Sequence, residues 1–380
     1  MALTVHELDS VDALEQLADD WRALLARGAD DSPYLTPEFM IPWARMLAGR
    51  YRLCLLAVRD GAQLVGLAPL FERRLAKWGV AYVVRSFPLH GLSPPFDWML
   101  DPAQPLALDA LLAHLRADPR WQLVELLNVP AGSPSTQLMP AACARYGLAF
   151  ESRPSLTTTF VRMAESWDAY QNSLPRALRK GVRQGQRRLE QSGAVRVLRC
   201  PQDGLSVTEG VNLALAVIAN SWKRFDDEAV DWPGFLRELA ERLAARRMLC
   251  LRLLMVADRP VAYHFELDYR GNLHGLHNAY DLALSAGAPG AVLLFDALRD
   301  AHQRGFGRFD FLGTKQYLDR WAQDKRDYCR LRLRDDGALA RLKTLLFDQV
   351  ASARKARASQ QEEAQRVARL GRTGGEQAPQ

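Results

Sequence analysis

Along residues 10–28, SVDALEQLADDWRALLARG, the apolar positions Val11, Leu14, Leu17, Trp21, Leu24 and Leu25 recur at helical spacing. Ser10 is placed to cap the start and Gly28 to stop the end, so the pattern predicts an amphipathic first helix. After the loop SPYLTPEF, residues 52–74 (RLCLLAVRDGAQLVGLAPLFERR) show two apolar, β-rich runs around the turn signal Arg59-Asp60-Gly61-Ala62-Gln63. This predicts a hairpin.

The same order returns some two hundred residues later. Residues 248–281, MLCLRLLMVADRPVAYHFELDYRGNLHGLHNAYD, again begin a hairpin on Leu-Cys-Leu, and Cys54 to Val65 and Cys250 to Val261 have equal separations. Each hairpin is followed by strand, loop, helix and strand: DALLAHLRADPRWQLVELLNV at 109–129 and DALRDAHQRGFGRFDFLG at 296–313. The repeated order predicts an α/β protein of two tandem domains, each a mixed, mostly antiparallel twisted sheet flanked by helices. The polar run ESRPSLTTTF places the boundary near residue 165, giving domains 1–165 and 166–340. Residues 341–380 hold few apolar residues to bury and are expected to be a fraying helix, then disordered.

Composition narrows the class. Of 380 residues, 48% are hydrophobic and 25% charged, which is globular and enough for two ordinary domains. The five scattered cysteines include no C-x-x-C pair, so neither a disulfide framework nor a zinc ribbon is expected, and a reducing cytoplasm fits. MALTVHELDS has acidic residues where a secretory signal needs an apolar run, and no uninterrupted apolar stretch reaches membrane-spanning length, so a soluble protein is expected. A net charge of +6 favours an anionic partner, and its placement matters more than its sum.

Residues 173–190 concentrate that charge. Arg176, Arg179, Lys180, Arg183 and Arg187 stack along one helix face, with Glu190 the only acidic residue in the stretch and two helix-weakening glycines, Gly181 and Gly185. This is either a solvated face or a grip for a phosphate-rich substrate, a nucleic-acid stem or an anionic lipid surface. Ahead of the next-to-last helix, Ala288-Pro289-Gly290 followed by Ala291 reads as a turn whose first helical amides have no internal partner. Such amides and the helix dipole cradle a pyrophosphate, although proline and glycine also punctuate ordinary turns. His274 and His277, three apart in a strand, are expected on opposite faces, which disfavours a shared metal, and no metal is expected. The patterns G-x-S-x-G, G-x-x-x-x-G-K-[ST] and G-x-G-x-x-G do not occur, which disfavours serine hydrolases, P-loop enzymes and dinucleotide oxidoreductases. FDFLGTKQYLDRW gathers Asp310, Lys315, Tyr317 and Trp321 past a strand end, where acid and base groups tend to sit in α/β folds. Trp222 is either core or, with Lys223 and Arg224, the wall of an acceptor groove.

Together these residues resemble the GNAT superfamily of acyltransferases, in particular its tandem-domain branch similar to CelD/BcsL-type and Fem-type proteins. The resemblance spans roughly Trp21 to Trp321. It rests on SPYLTPEF, on V-x-D-G-x-x-L-V-G-x-A-P-L at Val58 to Leu70, on SLPRALRKGVRQGQRRLEQSG, on APGAVLLFDALRDAHQRG and on FDFLGTKQYLDRW. Of the superfamily's (Q/R)-x-x-G-x-(G/A) loop, the aligned Ser285, Ala288 and Gly290 match only at the last position, whereas the branch's small-Pro-Gly turn is present. The branch's closing Y-K-x-x-W stands here as Tyr317-Leu318-Asp319-Arg320-Trp321, so the lysine's role falls to Lys315 or Arg320 if to any residue.

The resemblance implies an N-acyltransferase using acetyl-CoA or another acyl-CoA. Asn278, Ala279, Ala288, Pro289, Gly290 and Ala291 would meet the donor. Arg176, Arg179, Lys180, Arg183, Trp222, Lys315 and Trp321 would meet the acceptor. Tyr317 is the candidate acid, and Asp310 or a water held by His277 the candidate base. The implied acceptor is an amino sugar or a nucleotide- or lipid-linked sugar of an envelope or exopolysaccharide pathway, with peripheral contact to an anionic membrane in prospect. The alternatives are a Fem-like transferase taking its acyl group from aminoacyl-tRNA, the one case that would bring in nucleic acid, and a catalytically inactive scaffold.

Overall fold

The computed structural model describes residues 3–28, 32–77, 80–87, 92, 94–163, 166–221, 230–313, 316–322, 324–335 and 337. The first half runs β1 (Thr4–Leu8), α1 (Val11–Arg27), a 3₁₀ turn (Pro33–Leu35), α2 (Pro37–Leu47), β2 (Arg52–Asp60), β3 (Gln63–Lys77), β4 (Val80–Ser86), the short β5 (Met99–Leu100), α3 (Ala107–Ala117), β6 (Leu123–Pro130), α4 (Pro134–Arg145) and β7 (Leu148–Arg162). Two helices, α5 (Trp167–Ser173) and α6 (Arg176–Gln191), connect it to the second. That half runs β8 (Val195–Cys200), α7 (Val207–Ala219), α8 (Trp232–Ala245), β9 (Leu249–Val256), β10 (Arg259–Tyr269), β11 (Asn272–Tyr280), a 3₁₀ turn (Leu282–Gly287), α9 (Pro289–Gln303), β12 (Arg308–Asp310), a 3₁₀ turn (Gln316–Arg320) and β13 (Asp324–Asp335).

The expected first helix is α1. The Ser10 side chain accepts from the Ala13 amide at 3.3 Å, and the Gly28 amide closes onto the Leu24 and Leu25 carbonyls. Its apolar stripe is buried apart from the half-buried Val11, with Trp21 and Leu14 fully so. Both predicted hairpins form. Asp60 pairs with Gln63 around Gly61 at φ 57°, and Val256 pairs with Arg259 around Ala257 and Asp258 at φ 47° and 63°. Two positive φ values are what a two-residue turn between twisted strands demands.

The two halves repeat one topology. In each, a hairpin is followed by a further antiparallel strand, then a crossover helix and a parallel strand: β4 pairs parallel to β6 across α3, and β11 pairs parallel to β12 across α9. The strands join in one mixed, mostly antiparallel sheet, ordered β1-β2-β3-β4-β6-β13-β7-β12-β11-β10-β9-β8, with β5 beside β3. The last long strand of each half lies against the other half. β7 pairs with β12, and β13 inserts between β6 and β7. This exchange makes the sheet continuous across the seam.

Helices cover both halves and share a core. α2 packs on α8, with the rings of Trp43 and Phe235 5.4 Å apart and those of Phe39 and Phe235 6.0 Å apart. One apolar cluster runs from Leu14 and Trp21 in the first half to Phe265 and Leu276 in the second. A second cluster lies under α9 and includes Leu273, Leu293 and Trp321. Residues 341–380 lie outside the described residues, and no described helix is long and apolar enough to cross a membrane.

Candidate functional site

β12 pairs with β11 through three residues only, Arg308–Asp310 against Asn272–His274. β11 continues to Tyr280 while the chain after Asp310 turns away, so the sheet splits from Gly275 onward. A bulge lies at the head of this split: Glu266 faces Gly275 and Phe265 faces His277, leaving Leu276 without a counterpart. Such an extra residue disrupts the ladder locally and re-aims the side chains beyond it.

The bulge overturns one expectation. Alternation would put His274 and His277 on opposite faces, but they are the partners of Leu267 and Phe265, which are two residues apart on one face of β10. The histidines therefore share a face. His274 meets the Tyr34 ring edge-on at 6.3 Å, and His277 Nδ1 is hydrogen-bonded to the Tyr263 hydroxyl. Among the described residues no group of three or more His, Cys, Asp and Glu side chains is placed to hold a metal ion.

At the other end of the split stands α9. The buried Asp281 carboxylate accepts from the Ala283 amide at 2.9 Å and starts the 3₁₀ turn, and Ala288 takes a left-handed φ of 47° before Pro289 opens the helix. A left-handed alanine is strained, and the turn holds it by bonding the Ala288 amide to Ser285 O at 2.9 Å. The amides of Ala291 and Val292 both close onto the Ala288 carbonyl, at 2.9 and 3.1 Å. Ala291 thus has the internal partner that the sequence pattern denied it. Pro289 has no N–H, so Gly290 is the first-turn donor this closure does not use. A β-carbon on Gly290 would rest 3.4 Å from the Tyr280 ring, an ordinary contact.

Tyr317, on the closing 3₁₀ turn, is 42% exposed; burial of its phenol and the neighbouring Tyr280 raise its pKa. This sets it at the α9 end. Asp310 is 4% exposed and lies at the opposite end, where its charge, after burial, opposes ionisation of Tyr34 and Tyr328; the Tyr328 phenol is pushed up to about 12. Asp310 pairs with His274, six residues from Tyr280 along β11, so roughly 20 Å of strand separates the proposed base from the neighbour of the proposed acid. The structure does not bring Asp310 and Tyr317 together. His277 is half-buried within the split between them, and Asn278 and Ala279 follow it along β11, Asn278 opposite His264 and Ala279 buried opposite Tyr263.

Trp321 is a further correction. It is 3% exposed, its ring lies 6.4 Å from that of Phe295, and its carbonyl accepts the Tyr170 hydroxyl at 2.7 Å. It anchors the closing loop in the core under α9 instead of facing an acceptor. Trp222 and Lys315 lie outside the described residues.

The basic helix is α6, which packs its Val182, Gly185 and Leu189 side onto the 3₁₀ turn ahead of α9. Arg188 reaches back to the Ala286 carbonyl at 2.9 Å. Arg176, Lys180, Arg183 and Arg187 are exposed, Arg179 is half-buried with a bond to Asn172 Oδ1 at 3.2 Å, and none of these five pairs with a carboxylate among the described residues. Elsewhere arginines meet acids closely, as Arg27 does Asp101 at 2.5 Å and Arg85 does Asp118 at 2.6 Å. Arg176 and Gly185, nine residues apart, are on opposite sides of the helix, so the cationic stripe faces outward.

The sequence reading missed one buried network. Arg252 joins Glu266 at 2.9 Å and Asp300 of α9 at 2.7 Å, and His264 Nδ1 lies 3.3 Å from Glu266. Burial alone would raise the Glu266 carboxyl, but Arg252 and His264 outweigh it and hold it below the ordinary value. The network ties β9 and β10 to α9 directly behind the split. A cavity of about 440 Å³, lined by Arg22, Glu38, Arg246, Arg247, Asp268 and Arg270 among others, lies at the β10–β11 turn, the far end of β11 from the first turn of α9.

Residues 176–326 match the family described as acetyltransferase (GNAT) domain. Among solved structures, the chain is similar to FemX, with 12% identity, 86% of this chain and 97% of that chain covered and a TM-score of 0.53. It is likewise similar to the C-terminal domain (DUF2156) of a putative lysylphosphatidylglycerol synthetase from Agrobacterium fabrum, with 10% identity, coverage of 87% and 96% and a TM-score of 0.52. L-PGS from Bacillus licheniformis has 13% identity, coverage of 86% and 95% and a TM-score of 0.51. At these identities the likeness is one of fold. No curated protein matches the sequence. Residues 176–326, the stretch similar to the GNAT acetyltransferase domain, form the larger part of the second of two tandem α/β halves and contain the bulged β11 and the split beside it.

Proposed function

We propose that the protein is an N-acyltransferase of the CelD/BcsL-type branch, transferring an acyl group from acetyl-CoA or another acyl-CoA to an amine on an amino sugar or an envelope or exopolysaccharide precursor in the cytoplasm. The observation that carries this reading is the continuous path from the bulge at Leu276 along the open edge of β11 to the first turn of α9. A helix start is favourable for phosphate, and the split admits an extended thioester arm between two strands. The acceptor nitrogen attacks the thioester carbon, the C–S bond breaks, the nitrogen loses a proton and the leaving thiolate gains one.

The geometry revises the residue roles. His277, half-buried in the split and held by Tyr263, suits the proton acceptor, directly or through water. Asp310 is sealed in the seam and suits a structural charge. Tyr317, near the Tyr280 ring that also borders Gly290, suits the donor's phosphate end better than the leaving sulfur. Ala288, Pro289 and Gly290 shape the donor turn. Acetyl-CoA titrated into the full chain by calorimetry tests the reading: saturable binding supports it, and no heat at millimolar donor removes it for that donor.

The outward cationic stripe of α6 favours a second reading, in which the acyl group arrives on aminoacyl-tRNA and Arg176, Arg179, Lys180 and Arg183 follow RNA phosphates. Such binding weakens steeply with salt. Charged tRNA that fails to co-elute at low salt removes this reading.

A further inference from the structure

The N-terminal half does not merely duplicate the fold. Tyr34, on the 3₁₀ turn between α1 and α2, is 2% exposed and sends its hydroxyl across the seam to Gly275 O at 2.7 Å. Gly275 is the residue at which β11 enters its bulge. Pairing with β12 ends one residue earlier, at His274, and Tyr34 supplies the donor for the next carbonyl. A buried carbonyl needs such a partner to hold its orientation. The site is crowded: a β-carbon on Gly275 would lie 3.3 Å from Phe311 O and 3.4 Å from Asp310 O. The bulged strand, the exit of β12 and the N-terminal half therefore meet at one point. The Tyr34 ring is itself fixed edge-on by Phe39, 5.3 Å away, so its hydroxyl has little freedom to move.

We infer that Tyr34 is a positioning residue through which the N-terminal half completes the acyl-transfer site of the C-terminal half: its hydroxyl sets the β11 bulge and, through it, the aim of His277 two residues on. This rests on the acyltransferase reading for its kinetic consequence, but the strut itself is a property of the fold. It explains why a catalytic domain of this kind is joined to a second copy whose α1–α2 turn reaches across the sheet. An isolated C-terminal half would leave the Gly275 carbonyl without this donor.

Tyr34→Phe removes only the hydroxyl and keeps the ring. Two measurements on the full chain decide the matter: hydrogen exchange at residues 275–278, and acetyl-CoA turnover by thiol release with an amino-sugar acceptor panel. The expected result is at least tenfold faster exchange at 275–278 with the first turn of α9 unchanged, and at least a tenfold fall in kcat with the KM for acetyl-CoA within about twofold. Leu111→Ala, a core change in α3, which packs on α4 and β1 to β3, is the control for general destabilisation and should lower Tm without this kcat-only pattern. Wild-type exchange at 275–278 in Tyr34→Phe overturns the strut, and unaltered kcat with altered exchange overturns the positioning role. If the wild-type protein neither binds nor turns over acetyl-CoA, the donor reading falls, and exchange alone then judges the strut.

Discussion

Gly185 of α6 lies so close to Gly287 that a β-carbon at position 185 would sit 2.5 Å from the Gly287 carbonyl oxygen. The helix carrying the cationic stripe is thereby pressed against the turn that opens α9, and Gly287 in turn abuts the Leu189 side chain. Gly181, on the same helix, has nothing within 4 Å of where its β-carbon would be. The two glycines should respond oppositely to alanine. Gly185→Ala is expected to cost about 1–3 kcal/mol by forcing backbone apart, whereas Gly181→Ala should stabilise by up to about 1 kcal/mol through helix propensity. Urea unfolding midpoints measure both, and equal responses would contradict the packing described.

At the start of α9, size and charge separate. Gly290→Ala places a methyl at ordinary contact with Tyr280 and should leave acetyl-CoA affinity within a few-fold. Gly290→Asp puts a carboxylate where phosphate is proposed to sit and should abolish measurable binding. Calorimetry on both variants makes the comparison, and loss in both would point to the turn's shape instead of its charge environment.

The cysteines bear on any thiol-release assay. Burial pushes the thiols of Cys54 and Cys143 up to about 12 and those of Cys200 and Cys250 up to about 11, the last also raised by Glu266. Only Cys329 is not buried. A disulfide reagent at pH 8 should label at most one thiol per native chain and five after denaturation. Rapid labelling of two or more native thiols would contradict the burial.

The Glu266 network carries a pH signature. A carboxyl whose folded pKa lies below its unfolded value contributes stability that is present above the unfolded pKa, near 4.3 for glutamate, and is lost as pH falls through the folded one. Wild-type stability should therefore decline below about pH 4.5, and Glu266→Gln should remove part of that slope. The variant also leaves Arg252 with one fewer anion, at a cost of about 3–5 kcal/mol near neutrality. Denaturation midpoints from pH 3 to 7 for both proteins show whether the slopes differ; identical slopes count against the network.

The outward stripe yields a selective expectation. Arg179→Glu combined with Arg183→Glu should leave acetyl-CoA binding within about twofold, because these side chains point away from α9, while weakening retention on a polyanion column. Loss of donor affinity would place the stripe at the donor instead.

Local features were legible along the chain. Ser10 and Gly28 bracket α1, both hairpin turns follow their glycine or aspartate signals, and the repeated helix and strand order anticipates β4–α3–β6 and β11–α9–β12. What periodicity could not show is pairing at long range. The pairing of β13 with β7 across the seam depends on contacts over 150 residues apart, and no local pattern in LTTTFVR or YCRLRLR names its partner. The bulge at Leu276 was hidden for a related reason: a register shift belongs to two strands, so His274 and His277 look opposed in one sequence and lie together in the sheet. Trp321 shows the limit of motif reading, since its place in a closing motif suggested a ligand contact while its ring fills the core. Tyr34 sat in a quoted loop with no sign that its partner lay 241 residues away.

The central claim is that the second half holds an acyl-CoA along β11 with its phosphates at the first turn of α9. Isothermal titration of acetyl-CoA into the full-length protein tests it most directly. The account predicts saturable binding of one donor per chain that Gly290→Asp eliminates while the fold persists by circular dichroism. Absence of heat at millimolar acetyl-CoA, or equal affinity in Gly290→Asp, would contradict it.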